Sequence, residues 1–509
     1  MRTKKVFLNI LADTIPYILI GIVGIIKVTV LIKYLGDTGN GYYQFINQVI
    51  TYVFLAQCGF TDAVIYKLYK PFAEDNKDDI NAIYSGSRKT FKKIGYIILL
   101  IIIATTLGLY FFASFENGYK LPSLLSFFII AVSYLIPFFW KKQAYQAVVS
   151  ANQEKYLYTF PTNIIKLVCD ILTIIAVLIF KNLVAIAITI LIVKIIEEII
   201  IEKLIEKKYP WLKEIERKDT SSNKMIKDLA WYQVGYLVTN NTDSILLMAF
   251  LGPISVSIYS SYNYILRFLN EIIARINNGA IYSFGNVFAK KEDNKAYLLY
   301  KEYLSGFIII AFAFSLTFLI GIRAFVLNAW IKDNLYNLSY LSVCLFTSTL
   351  FFTTIYFPLY SMINSNGLFK DNKNHVLISA VINVGLSLIF IKYFGLNGIL
   401  SATVLAFIVN LILKCILAKK KIFPKEKILD IIKPYLIASL IYIVTLFLIK
   451  PIENIFMLNI KGYIMIILSL GITFVLISLI TLSIMYLFDK NTRLLLKRVI
   501  NLIKRKLKK

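Results

Sequence analysis

The residues of this chain with chemical potential lie where they are most expensive. Lys27, Lys166, Lys194, Arg267, Arg275 and Lys414 on the basic side, and Asp13, Asp170, Glu197, Glu198, Asp243 and Glu271 on the acidic side, fall inside long apolar runs. An ionised group at the centre of a bilayer costs roughly 2.5–3.5 kcal/mol on the insertion scale, so each needs a partner or a task. Lys166 and Asp170 are spaced to pair on one helix face, as are Lys194 and Glu198. Arg267, Glu271 and Arg275 form an i, i+4, i+8 ladder. Two guanidiniums there share one carboxylate, leaving a positive face suited to bidentate capture of phosphate oxygens. Asp13 and Lys414 lie near the ends of their runs and can snorkel. Uncharged polar residues gather in the same stretches: Gln44, Asn47, Gln48 and Thr51, then Asn240, Asn241 and Thr242, then Asn263 and Asn270. Amides and hydroxyls both donate and accept, which suits a polyhydroxylated ligand.

Other chemistries lack their residues. The single histidine, His375, reads as a surface or interfacial residue, and no Ser-His-Asp set can form without a second. Cys58, Cys169, Cys344 and Cys415 are scattered singly, without the spacing of a zinc site, and read as packing residues. No GxxxxGK[ST] loop is present, so the chain carries no nucleotide-driven motor. The acidic run Glu74, Asp75, Asp78 and Asp79 sits among lysines and reads as a solvated face. No metal or cofactor is expected.

The elements that position these groups follow from composition. The chain has 509 residues, is 58% hydrophobic and only 17% charged, yet carries a net +27. Its mean hydropathy is +0.70. Soluble domains are roughly 45–50% apolar and about 25% charged, so this is a polytopic membrane protein. Nucleic-acid binding does not fit so much Ile, Leu and Phe. Apolar windows of spanning length predict about fourteen helices, near 7–32, 43–66, 94–114, 122–146, 157–180, 183–204, 226–250, 255–280, 303–327, 338–363, 374–392, 396–417, 434–452 and 462–488. Of the 56 Lys and Arg residues, 42 fall in alternate connections and the two termini, and only 8 in the other loops. The basic side is cytoplasmic, so both termini are expected there, with no cleaved leader and no extracellular domain.

An internal repeat organises the spans. At an offset of 216 residues, Tyr34-Leu35-Gly36 meets Phe250-Leu251-Gly252, Tyr43 meets Tyr259, and Asn47 meets Asn263. Each block joins two polar-tinged spans through a Leu-Gly turn, where glycine supplies the backbone freedom of a tight hairpin. The expected architecture is all-α: an N-lobe over 1–205, a linker over 206–224, a C-lobe over 225–418, two appended spans over 419–489, and a basic amphipathic tail over 490–509. Six spans per lobe make a parallel repeat about an axis along the membrane normal, a known transporter plan. The offset also sets Lys27 against Asp243, a candidate gate pair or a static ion pair. Leu496, Val499, Ile500, Ile503 and Leu507 share one face of the tail, which suits the anionic inner leaflet.

Several segments resemble a known family. Leu35-Gly36 leads into Gly41-Tyr42-Tyr43-Gln44. A later stretch reads Gly59-Phe60-Thr61-Asp62-Ala63-Val64-Ile65-Tyr66-Lys67-Leu68-Tyr69, and another Ile80-Asn81-Ala82-Ile83-Tyr84-Ser85-Gly86. The second lobe echoes the scheme with Asp243-Ser244-Ile245-Leu246-Leu247. This resembles the polysaccharide-transporter (Wzx-type) flippases of the multidrug/oligosaccharidyl-lipid/polysaccharide exporter superfamily. The resemblance implies a multi-pass protein of the cytoplasmic membrane that moves lipid-linked oligosaccharide, usually on undecaprenyl diphosphate, between leaflets by alternating access. It implies membrane lipids and polysaccharide assembly proteins as partners, and no nucleic acid. By analogy with the more distant lipid II flippases, the last two spans form a groove for the lipid tail. Substrate-binding candidates are then Lys27, Arg267, Arg275, Gln44, Asn47, Gln48, Asn240 and Asn241. Candidates for gating, or for coupling to protons or sodium ions, are Asp243, Glu271, Asp13, Lys166 and Asp170. The alternatives are a multidrug exporter of the same superfamily, which would favour an acidic or aromatic cavity, and a membrane-embedded glycan polymerase or ligase, which would need a large outer loop.

Overall fold

A computed structural model describes residues 2–217, 219, 231–289 and 293–507, apart from 58, 232, 236 and 240. The described residues are helical, with no strand among them. Ten described helices are long and apolar enough to cross a membrane. In chain order the α-helices are α1 (Arg2–Val53), α2 (Phe60–Ala73), α3 (Lys77–Phe112), α4 (Lys120–Phe139), α5 (Lys142–Ala151), α6 (Tyr156–Phe180), α7 (Leu183–Lys208), α8 (Asp243–Leu251), α9 (Pro253–Ala289), α10 (Asp293–Ala324), α11 (Tyr340–Ser365), α12 (Phe369–Phe394), α13 (Leu396–Lys421), α14 (Ile428–Asn459), α15 (Tyr463–Phe488) and α16 (Lys490–Leu507).

The local chemistry of the chain explains most boundaries. α1 runs 52 residues but breaks at Gly36, where φ is 72° and ψ 172°. That break separates the first two expected spans. Its repeat partner Gly252 also takes a positive φ, 81°, between α8 and α9. Both Leu-Gly hairpins thus use the conformation that only glycine adopts freely. The side-chain oxygens of Asn76, Asn182, Ser339 and Asp489 accept backbone N–H groups at the starts of α3, α7, α11 and α16, satisfying donors that would otherwise be orphaned. α7 and α9 are long enough to span, with 26 and 37 residues. Their charged and polar residues keep them from being uniformly apolar. The span expected over 226–250 falls partly outside the described residues.

Two helices expected as single spans are broken within their bounds. The helix expected over 43–66 stops at Val53, passes through a 3-10 turn at Phe54–Gln57, and restarts at Phe60 after Gly59 with φ 79°. The helix expected over 122–146 stops at Phe139; the backbone at Trp140 is extended, and α5 restarts at Lys142.

The chain divides into two compact units: Met1–Leu237 with Ser244–Ser257, and Val238–Asp243 with Ile258–Lys509. Within the first, α1 packs on α6, and α4 on α7 and α3. Its core includes Leu31, Phe127, Ile130, Phe138, Val148 and Ile186, all essentially inaccessible. Within the second, α12 packs on α13, and α10 on α11 and α15. Phe351 and Tyr442 stack there at 3.9 Å between ring centroids. The outward faces are apolar too: Leu100, Phe112, Ile464 and Phe488 are exposed, and α15 is lipid-like almost all round. That pattern fits hydrocarbon as the solvent.

Two segments expected as a linker and as a membrane-surface tail are held against helices. Asn81 donates to the Trp211 carbonyl (3.3 Å) and accepts from the Lys213 N–H (3.0 Å). Ser85 accepts from the Ile215 N–H (2.9 Å), and Asp219 N–H donates to the Ala82 carbonyl (3.2 Å). The stretch after α7 is therefore strapped along α3. Asp79 of the acidic run pairs with Arg217 at 2.9 Å, so that residue is more than a solvated charge. The tail α16 packs on α10: Arg498 meets Glu302 through two hydrogen bonds (2.8 and 3.0 Å), and Ser305 donates to Asp489.

Candidate functional site

The two helix breaks of the first unit leave polar side chains around one space. A cavity of about 570 Å³ is lined by Asn47, Thr51 and Phe54 at the end of α1, Gln57, Gly59, Thr61 and Asp62 at the break into α2, and Tyr134 and Phe138 of α4. Gln143 and Gln146 of α5 and Gln233 complete its wall. Its size is that of a small-molecule site. Gln233 donates to Asp62 Oδ2 at 3.4 Å. Asn47 donates to the Tyr43 carbonyl (2.8 Å), and Thr51 to the Asn47 carbonyl (3.0 Å). Of the amides expected to bind substrate, Asn47 reaches this cavity. Gln44 donates instead to Asn40 (3.3 Å). Gln48 is buried with its Nε2 unpartnered among the described residues. Asn240 lies outside the described residues.

The buried charges of the same unit pair differently from the sequence expectation. Lys27 meets Asp170 at 2.5 Å, and its ammonium lies 5.9 Å from the Tyr43 ring centroid. Asp170 thus takes its cation from α1 rather than from Lys166 one turn away, and Lys166 is exposed. Lys194 pairs with Glu197 (2.7 Å) rather than Glu198. Lys142, inside the stretch expected as one span over 122–146, is buried between Glu197 (2.5 Å) and Glu198 (3.7 Å). These corrections share a cause: sequence spacing reveals partners on one helix, whereas these partners come from neighbouring helices. Asp13 is half-buried, and beside it Asn163 donates to the Ala12 carbonyl (3.3 Å).

In the second unit Asp243 is buried and receives neutral donors: the Tyr259 hydroxyl at 2.8 Å and Thr403 Oγ1 at 3.4 Å from either oxygen. Asn383 donates to Thr403 (3.0 Å). The Asn383 Oδ1 and Ser387 Oγ atoms are buried without hydrogen-bond partners among the described residues. The carboxylate beside Lys27 is therefore Asp170, not Asp243. Arg267 donates to Asn241 Oδ1 at 2.9 Å. The arginine ladder does not close through Glu271, which is exposed and forms no ion pair among the described residues. Arg275 is half-buried. Lys414 does not snorkel: it is fully buried, donates to Asn372 (2.9 Å) and lies 4.7 Å from the Tyr356 ring centroid. No group of three or more His, Cys, Asp or Glu side chains among the described residues can hold a metal.

The sequence reading missed Gln57, Gln143, Gln146 and Lys142. The glutamines carried a signal, since amides inside apolar runs need a reason. Lys142 carried none, because a lysine at a helix end reads as topology.

These features define a multi-span membrane protein with a transporter fold, and solved structures agree. "Lipid II flippase MurJ, inward closed conformation" has a TM-score of 0.67 at 16% identity, covering 93% of this chain and 98% of that one. An inward-facing multidrug resistance MATE family transporter of the MOP superfamily has a TM-score of 0.62 at 13% identity, over 80% and 94%. A MOP superfamily transporter from Pyrococcus furiosus, described as having a binding pocket of reverse polarity, has a TM-score of 0.59 at 13% identity, over 82% and 96%. The family model described as "Polysaccharide biosynthesis protein" matches residues 3–282, and the chain belongs to that family. No curated protein matches it.

Proposed function

We propose that this protein is a flippase rather than an enzyme. It carries a lipid-linked oligosaccharide repeat unit, on undecaprenyl diphosphate, from the inner to the outer leaflet of the cell membrane by alternating access. The observation that carries this reading is the amide-lined cavity, in a chain of the polysaccharide biosynthesis family. Gln57–Asp62 and Gln143–Gln146 adjoin the lysine-rich second and fourth connections, which the positive-inside rule makes cytoplasmic. A repeat unit assembled in the cytoplasm would load from that side. Arg267 and Arg275 of the second unit take the diphosphate; in the first unit, Lys27 can offer phosphate a cation by exchanging Asp170. Asp243 is the coupling carboxylate. It is buried and takes its hydrogen bonds from neutral donors, with the Arg267 charge also acting on it, so gain of a proton or a sodium ion changes the charge of that group.

The test is complementation of a deletion strain. Arg267→Ala or Arg275→Ala abolishes surface polysaccharide at normal protein level. Normal surface glycan in both variants removes them from the site.

Asp62 and the aromatic walls Phe54, Tyr134 and Phe138 favour a second reading, export of cationic drugs. In that case the deletion strain keeps its surface glycan and becomes drug-sensitive.

A further inference from the structure

The cavity of the first unit has a distinctive charge. Among the described residues its lining offers five amide side chains, the hydroxyls of Thr51, Thr61 and Tyr134, and three aromatic rings, but no lysine, arginine or histidine; Asp62 is the sole carboxylate among them. Lys155 is exposed and acts on Asp62 only from outside the lining. Gln233 engages one Asp62 oxygen. Asp62 is solvent-accessible at the cavity wall, where a carboxylate attracts a cation or a hydroxyl donor and disfavours an anion. Amides serve neutral hydroxyls in either direction. Tyr134, which is exposed, offers a flat apolar face to the C–H side of a pyranose ring, with the buried Phe138 behind the wall.

We propose that this cavity is a sugar subsite selective by charge. It accepts neutral sugars and sugars bearing a free amine, the latter by pairing with Asp62, and rejects acidic sugars such as uronic acids. The subsite rests on the flippase reading for its role, because it recognises the glycan while the diphosphate is bound by cations elsewhere. The reading narrows the class of repeat unit this chain carries.

The test uses the purified full-length protein and three synthetic fluorescent polyprenyl-diphosphate disaccharides that differ only in one sugar: glucose, glucosamine or glucuronic acid. Translocation is followed in proteoliposomes, and binding of the matching water-soluble methyl glycosides is followed by calorimetry. The expected result is transport and binding of the glucose and glucosamine forms, with the glucuronic acid form at least ~10-fold weaker in both. Asp62→Asn should raise the acidic form toward the neutral one and weaken the amine. Gln143→Ala with Gln146→Ala should weaken all three while size-exclusion behaviour stays that of the parent. Equal handling of all three sugars, or a ranking unmoved by Asp62→Asn, overturns the subsite. Charge-ranked binding without translocation of any lipid keeps the subsite and overturns the flippase reading instead.

Discussion

The strap along α3 makes a quantitative claim about one glycine. A Cβ built on Gly86 would lie 2.2 Å from the Asp219 carbonyl oxygen and 2.7 Å from its carbon. Both are backbone atoms, so no side-chain rotation can relieve the clash, and Gly86→Ala must push the strap off the helix. The first interactions to break are the Asp219 N–H to Ala82 hydrogen bond and the Lys67–Asp219 ion pair at 2.9 Å. The hydrogen bond contributes about 0.5–1.5 kcal/mol net, and an ion pair this exposed contributes up to about 1 kcal/mol. Local opening therefore becomes easier by about 0.5–2.5 kcal/mol, or roughly 2- to 60-fold, since about 1.4 kcal/mol is a factor of ten. Lys213 and Arg217 lie in the strap and are tryptic sites. Where closing outruns cleavage, proteolysis follows the open population. In inside-out vesicles, Gly86→Ala should accelerate cleavage in this segment by about that factor. Gly108→Ala on the same helix meets nothing within 4 Å and is the control. Unchanged cleavage in Gly86→Ala, or equal acceleration in Gly108→Ala, would refute the strap.

Three further outcomes follow from the buried charges. Lys27→Ala leaves Asp170 unpaired and should cost about 3 kcal/mol, the lower end for breaking a buried pair, read as a lower melting temperature in detergent; Lys27→Met with Asp170→Leu should recover most of it. Asp243→Asn keeps the acceptor for Tyr259 and Thr403 but removes the charge, so transport should fall steeply while thermal stability holds. Burial raises the Asp489 carboxyl, but hydrogen bonds from Ser305, the Asn491 N–H, and the Thr492 hydroxyl and N–H outweigh it and hold it below the usual range. A depressed acid contributes stability above its unfolded value near 4 and loses it as pH falls through the lower folded value. The tail α16 should therefore stay docked at neutral pH and become protease-accessible only in strong acid, and Asp489→Asn should loosen it at neutral pH.

The sequence revealed the membrane class and the repeat because both are written in one dimension. Hydropathy marks spans, and the Leu-Gly turns at Gly36 and Gly252 recur at a fixed offset with the same backbone sign. The break near Gln57 was hidden because apolar residues resume on both sides of it, and Gly59 turns the backbone there. The break at Trp140 coincides with Lys141-Lys142-Gln143, polar residues that the apolar stretches on either side concealed as part of one span. Pairing was hidden for a related reason. Lys27 and Asp170 are 143 residues apart, and the spacing rule sees only neighbours within a helix. Even within a helix it misled, since Lys194 chose the residue three away over the one four away. Asn81 and Ser85 stood in a motif whose role is legible only once the strap lies against them.

The placement of charge bears on how a carrier of this kind can release what it binds. Within the first unit the membrane-embedded ions largely neutralise one another, Lys27 with Asp170, and Lys142 and Lys194 with Glu197 and Glu198. A carrier gains only from differential binding between its states. Amides and aromatic faces bind sugars through many weak contacts. Such contacts can be released one at a time as a cavity changes shape. Asp243, by contrast, takes its hydrogen bonds from neutral donors, with the Arg267 charge also acting on it. The proposed function then implies a division of labour: amides and rings recognise the glycan, arginines take the diphosphate, paired ions hold the first unit together, and Asp243 carries the coupling ion.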